Sequence, residues 1–128
     1  DLYVSVHANA QPVTADPFEA PRGYMIFYYQ PQSRALADAV HGSYRRSFPE
    51  LTDEFVRWGD LAVCREPQMP AILVESAYMM LPEQEELLRQ PHHQERFAKA
   101  MLDGIREYFS AYRRVQLSSE AEKRAARD

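Results

Sequence analysis

The chain has 128 residues, 45% hydrophobic and 27% charged, which suits one globular domain or part of one and argues against a disordered tract. A net charge of −4 argues against nucleic acid, whose binders usually carry a basic face, and no apolar run approaches the roughly 18 residues of a membrane helix. One cysteine, Cys64, excludes an intramolecular disulfide; inside an apolar run it reads as a small core residue.

Residues 2–6 read as a strand rich in Tyr and Val. The chain enters this strand almost at residue 1, with no initiator Met and no signal peptide. A domain rarely begins inside a central strand, so the expectation is a C-terminal piece of a longer protein. Residues 7–22 hold three prolines and no period, which predicts a loop. Gly23 to Tyr29 is an aromatic second strand, and Gln30 to Ser33 a break with a capping serine. A helix follows from Arg34, with Leu36, Val40 and Tyr44 on one face, and Pro49 ends it.

Residues 49–60 read as a connection with a turn at Trp58-Gly59-Asp60. Leu61 to Cys64 reads as a third strand, and Ala71 to Glu75 as a fourth. Pro82 opens a short helix with acids in its first turn, where they complement the helix dipole. From Pro91 the clearest helix carries Phe97, Met101, Ile105, Tyr108 and Tyr112, with Ala98, Leu102 and Phe109, as one stripe. Gly104 within it predicts close packing against the sheet, at about 1 kcal/mol of helix cost. Residues 1–114 thus form the domain part, and residues 115–128 a polar tail or fraying helix end. Strands alternating with helices predict an α/β fold with a mixed, mostly parallel sheet.

Two positions stand out chemically. Glu75 follows the apolar run Ala71-Ile72-Leu73-Val74 with no charged neighbour. A carboxylate placed at the end of a buried strand is costly without a partner, so it has a raised pKa or is held by a cation. A structural ion pair, for instance with Arg65, accounts for such an acid equally well. His7 follows the first strand and precedes the small residues Ala8-Asn9-Ala10, which leave room for a metal or substrate; a hydrogen-bonded loop histidine is the plainer reading. His41, His92 and His93 read as surface residues, and Phe27-Tyr28-Tyr29 as strand core and rim. No His-Glu-x-x-His motif, glycine-rich phosphate loop or nucleophile elbow is present.

Four segments in order, VSVHANA from Val4, GYMIFYY from Gly23, LAVCR from Leu61 and PAILVE from Pro70, resemble the C-terminal half of the zinc-dependent N-acetylmuramoyl-L-alanine amidases, cell-wall hydrolases of the amidase type 3 family. The resemblance spans roughly residues 1–110 and is carried by VSVHANA together with PAILVE. It implies a sheet of about six strands in the whole domain, about four of them here, flanked by helices. It implies a zinc ion (Zn2+) held by two histidines and a glutamate, with His7 as the second histidine, Glu75 as the catalytic acid-base, and the other ligands upstream. Asn9 and Arg65 are candidate substrate contacts. The implied substrate is peptidoglycan, which sets a periplasmic or extracellular location, with no nucleic-acid partner and no membrane span; any activating partner is unspecified. A non-catalytic relative that binds peptidoglycan or regulates another hydrolase is the alternative. Where the family commonly reads Gly-Phe-Leu-Ser-Asn, this chain reads Ala77-Tyr78-Met79-Met80-Leu81, losing a polar pair. The short connections between Gly23 and Glu75 leave little room for the inserted plug helix of some members.

Overall fold

In the computed structural model, residues 1–11, 16, 18–20 and 22–126 are described. Strands form where β-branched and aromatic residues collect: β1 (Tyr3–Asn9), β2 (Gly23–Tyr28), β3 (Thr52–Trp58) and β4 (Ala71–Tyr78). They build a mixed sheet in the order β1-β4-β2-β3. β1 runs parallel to β4, and β2 parallel to β3, while β2 and β4 are antiparallel. Part of the expected loop over residues 7–22, residues 12–15, 17 and 21, lies outside the described residues; its first three residues belong to β1.

One face of the sheet carries the core. Ile26, Ile72 and Val74 alternate onto it and meet helix α1 (Arg34–Ser47) through Leu36, Ala37, Val40 and Tyr44. Helix α3 (Pro91–Ala125) closes the layer with Phe97 and Ala100, and the Phe48 and Phe97 rings stack at 4.3 Å. The short helix α2 (Pro82–Arg89) begins at a proline, which suits a first turn where the N–H has no helical partner. The opposite face is covered at one end by a 3-10 turn, Ala62–Cys64, whose buried Cys64 lies 3.7 Å from the Phe27 carbonyl.

Several expectations are corrected. The third strand is Thr52–Trp58, within the expected connection, and Leu61 to Cys64 is not a strand. β3 borders the sheet and turns only Glu54 fully inward, so its sequence lacks an apolar run. Phe55 there adopts a positive φ of 69° where β3 carries one residue more than β2 between the pairs Tyr24–Asp53 and Ile26–Val56, which breaks the alternation that periodicity needs. Cys64 is apolar because it caps a sheet face, which a single turn does as well as a strand.

β1 and β4 run longer than expected, so His7 and Glu75 lie inside strands rather than at their ends. Gly104 packs against α1, not the sheet: a Cβ on it would meet the Val40 Cα at 2.5 Å. His41 is half-buried, with Nε2 2.7 Å from Asp53, and so joins α1 to β3 rather than facing solvent. Residues 115–125 are helical and almost wholly exposed.

Candidate active site

Strand register builds the site. His7 on β1 is the direct neighbour of Glu75 on β4, and Glu75 is in turn opposite Met25 on β2. Neighbouring strands lie about 4.8 Å apart, so the three side chains share one stretch of one face. That face is the one turned away from α1 and α3, because Glu75 alternates with the core residues Val74 and Ser76. Of the eight residues of β4, Glu75 is the only one not fully buried.

The His7 ring is held along its own strand. Ser5 is two residues earlier on the same face, and its Oγ lies 2.8 Å from Nε2 of His7. Past His7 the β1–β4 register shifts, and Asn9 becomes the partner of Tyr78. The Asn9 carbonyl accepts from the Met79 N–H at 3.0 Å, and its side-chain nitrogen reaches the Met25 sulfur at 3.8 Å. Asn9 therefore borders the His7–Glu75 pair.

Arg65 is not brought to this cluster. It follows the 3-10 turn at the other end of the sheet, before β4 begins, and pairs with Asp60 at 2.6 Å. Four residues of strand, about 13 Å, separate that end from Glu75. The ion pair between Glu75 and Arg65 considered from the sequence is thus not formed.

Glu75 is half-buried, and its Oε2 is buried with no hydrogen-bond partner among the described residues. Burial pushes its pKa upward by disfavouring the charged form; the neighbouring His7 charge works in the opposite direction. A carboxylate raised in this way, beside an imidazole and with one oxygen uncommitted, is suited to accept and return a proton. Among the described residues no group of three or more His, Cys, Asp or Glu side chains converges to hold a metal. His7 with Glu75 is a partial donor set.

The same end of the sheet is braced by residues that sequence reading missed. Glu54, almost fully buried, accepts from the Gly23 N–H at 3.0 Å and lies 3.4 Å from the Tyr78 hydroxyl. Arg22 approaches it at 3.7 Å. The buried Gln84 accepts from the Tyr78 N–H at 2.8 Å and donates to the Arg22 carbonyl at 2.6 Å. Nothing in the polar stretch Thr52-Asp53-Glu54 marked Glu54 as internal; only its pairing beside β2 does so. Beyond β4 a cleft of about 790 Å³ opens, with an apolar wall of Phe18, Leu51, Leu81 and Leu87 and a polar rim that includes Glu19, Glu50 and Glu83. Leu81, one of the apolar replacements noted from the sequence, forms part of that wall.

Comparison with known proteins gives a consistent result. A family model described as N-acetylmuramoyl-L-alanine amidase matches residues 1–107. A probable cell wall amidase, LytH of Staphylococcus aureus, is 28% identical over 111 residues, covering 87% of this chain and 36% of the relative. Among solved structures, the catalytic domain of CwlV, an N-acetylmuramoyl-L-alanine amidase from Bacillus (Paenibacillus) polymyxa var. colistinus, superposes with a TM-score of 0.74 at 33% identity, covering 85% of this chain and 57% of that one. The amidase AmiC2 of Nostoc punctiforme gives 0.76 at 30% identity, with coverage of 85% and 58%. The chain thus spans about a third of the length of the curated relatives it matches.

Proposed function

Because this chain belongs to the N-acetylmuramoyl-L-alanine amidase family, we propose that it is the C-terminal part of a zinc-dependent peptidoglycan hydrolase. The reaction is cleavage of the amide between the lactyl group of N-acetylmuramic acid and the L-alanine of the stem peptide. The observation that carries this reading is the register pair of His7 and Glu75 on a face left free by both packed helices.

The chemistry of the donors fits zinc. A neutral imidazole and carboxylates are ordinary zinc ligands, catalytic sites use three protein ligands, and His7 is the register partner of Glu75, whose buried Oε2 has no hydrogen-bond partner among the described residues. His7 would be one ligand, with the others supplied by the part of the protein preceding residue 1. When bound, the metal supplies an acidified water and polarises the scissile carbonyl.

The Glu75 carboxylate accepts the proton of the attacking water and returns it to the departing amine of L-alanine. Its raised pKa brings it closer to working pH and so improves both transfers. Asn9, bordering the pair, offers an amide to the substrate backbone, and the cleft beyond β4 gives the stem peptide an apolar wall. Arg65, ion-paired at the far end of the sheet, is left out of this mechanism. Action on peptidoglycan sets the location as periplasmic or extracellular.

The decisive experiment is Glu75→Gln in the complete protein. Hydrolysis of purified cell wall should fall by about 10²–10⁴-fold, the usual share of a general acid-base group, with zinc content unchanged. Full retained activity would remove Glu75 from the mechanism.

A further inference from the structure

Ser5 lies next to the site without a role assigned so far. Its hydroxyl is 2.8 Å from Nε2 of His7, within ordinary hydrogen-bond range. The two residues are two positions apart on β1, so the strand itself sets them side by side on one face. The neighbour of Ser5 on β4 is the buried, apolar Leu73, which offers the hydroxyl no competing polar side chain. His7 by contrast is exposed and makes no other side-chain hydrogen bond among the described residues. Without Ser5 its ring would be free to turn.

We infer that Ser5 is a positioning residue for the metal centre: its Oγ holds Nε2 of His7 and so assigns Nδ1 as the atom that binds the metal. A neutral imidazole has one N–H and one lone pair. If Nε2–H donates to Ser5, the lone pair is on Nδ1, the state a metal requires. The partner on the non-ligating nitrogen fixes both tautomer and ring orientation, and loss of such a partner typically weakens metal binding by about 10–100-fold. The inference rests on the reading of His7 as a ligand.

The test uses the complete protein and zinc alone. Competition against a chromogenic chelator gives zinc affinity for the wild type, Ser5→Ala, Ser5→Thr and His7→Ala. Nitrogen-15 histidine spectra of the zinc-loaded wild type identify the protonated ring nitrogen. The expected result is a loss of about 10–100-fold for Ser5→Ala, recovery to within a few-fold for Ser5→Thr, which keeps the hydroxyl, and a proton on Nε2. Unchanged affinity in Ser5→Ala, equal loss in Ser5→Ala and Ser5→Thr, or zinc on Nε2 would overturn it. Unchanged affinity in His7→Ala instead overturns the underlying metal assignment, so the two failures are distinguishable. Matching far-UV spectra and melting of the metal-free variants separate lost orientation from lost fold.

Discussion

Two helical glycines should respond to the same substitution with opposite signs. Gly42 and Gly104 both become better helix formers as alanine, each by about 1 kcal/mol in an open helix. At Gly42 the added methyl group meets only the end of the Arg46 side chain, at 3.4 Å, which is flexible and can give way. Gly42→Ala should therefore stabilise the protein by about 0.5–1 kcal/mol. At Gly104 the same methyl group meets backbone: the Val40 Cα at 2.5 Å, and the Ala39 oxygen and Val40 nitrogen at 3.0 Å. Backbone cannot rotate aside, so α1 and α3 must part by about 1 Å to restore ordinary contact. That separation loosens the layer made by Leu36, Val40, Phe97 and Ala100. Overpacking costs about 1–3 kcal/mol, and contact with unyielding backbone at 2.5 Å places this case in the upper part of that range, so after the propensity gain Gly104→Ala is destabilised by about 1–2 kcal/mol net. The midpoint should fall by about 3–12 °C, while that of Gly42→Ala rises. Urea denaturation with unchanged slope measures both. If Gly104→Ala equals or exceeds the wild type in stability, the close approach of the two helices is not as described.

Glu54→Ala should cost about 2–4 kcal/mol in urea denaturation, because the Gly23 N–H loses its acceptor and the Tyr78 hydroxyl and Arg22 lose a buried carboxylate; a change below about 0.5 kcal/mol would show the network to be inert. Arg96→Ala should cost about 1–2 kcal/mol at neutral pH, since Arg96 pairs with both oxygens of Glu50, caps the Ser47 carbonyl and lies 4.4 Å over the Phe48 ring. Burial, the largest single effect, raises the pKa of Glu50, but the hydrogen bond and charge of Arg96 together with a backbone hydrogen bond outweigh it and leave the pKa lowered. A depressed folded-state pKa means the contribution is present above the ordinary glutamate value and is lost as pH falls through the depressed one. The gap between wild type and Arg96→Ala should therefore narrow in denaturation curves taken in acid, and a gap independent of pH would place the effect entirely in packing.

Much of the fold was legible because it obeys local rules. The stripes of α1 and α3 follow the helical period, and the run Ala71 to Val74 is continuous because β4 is covered on both faces. The family motifs named His7 and Glu75 as partners. What stayed hidden has a common cause. β3 borders the sheet and carries polar residues that become internal only through pairing, as Glu54 does beside Gly23. Leu61 to Cys64 is apolar for a reason that composition shares with strands, although it only caps a face. His41 looked like a surface residue on a helix because Asp53, its partner, comes from another strand.

The sequence by itself determined the α/β class and the amphipathic faces of α1 and α3, which follow from periodicity and residue type acting over a few neighbouring positions. Its motifs also carry the family resemblance that singled out His7 and Glu75, which residue type and position alone left open. Tertiary structure decided the rest. It set His7 directly beside Glu75, left Arg65 about four residues of strand away, turned Gly104 against α1, and gave the His7 ring its Ser5 partner. Each depends on strand register or helix docking, which are fixed when the whole hydrophobic layer is buried at once and not by any single segment.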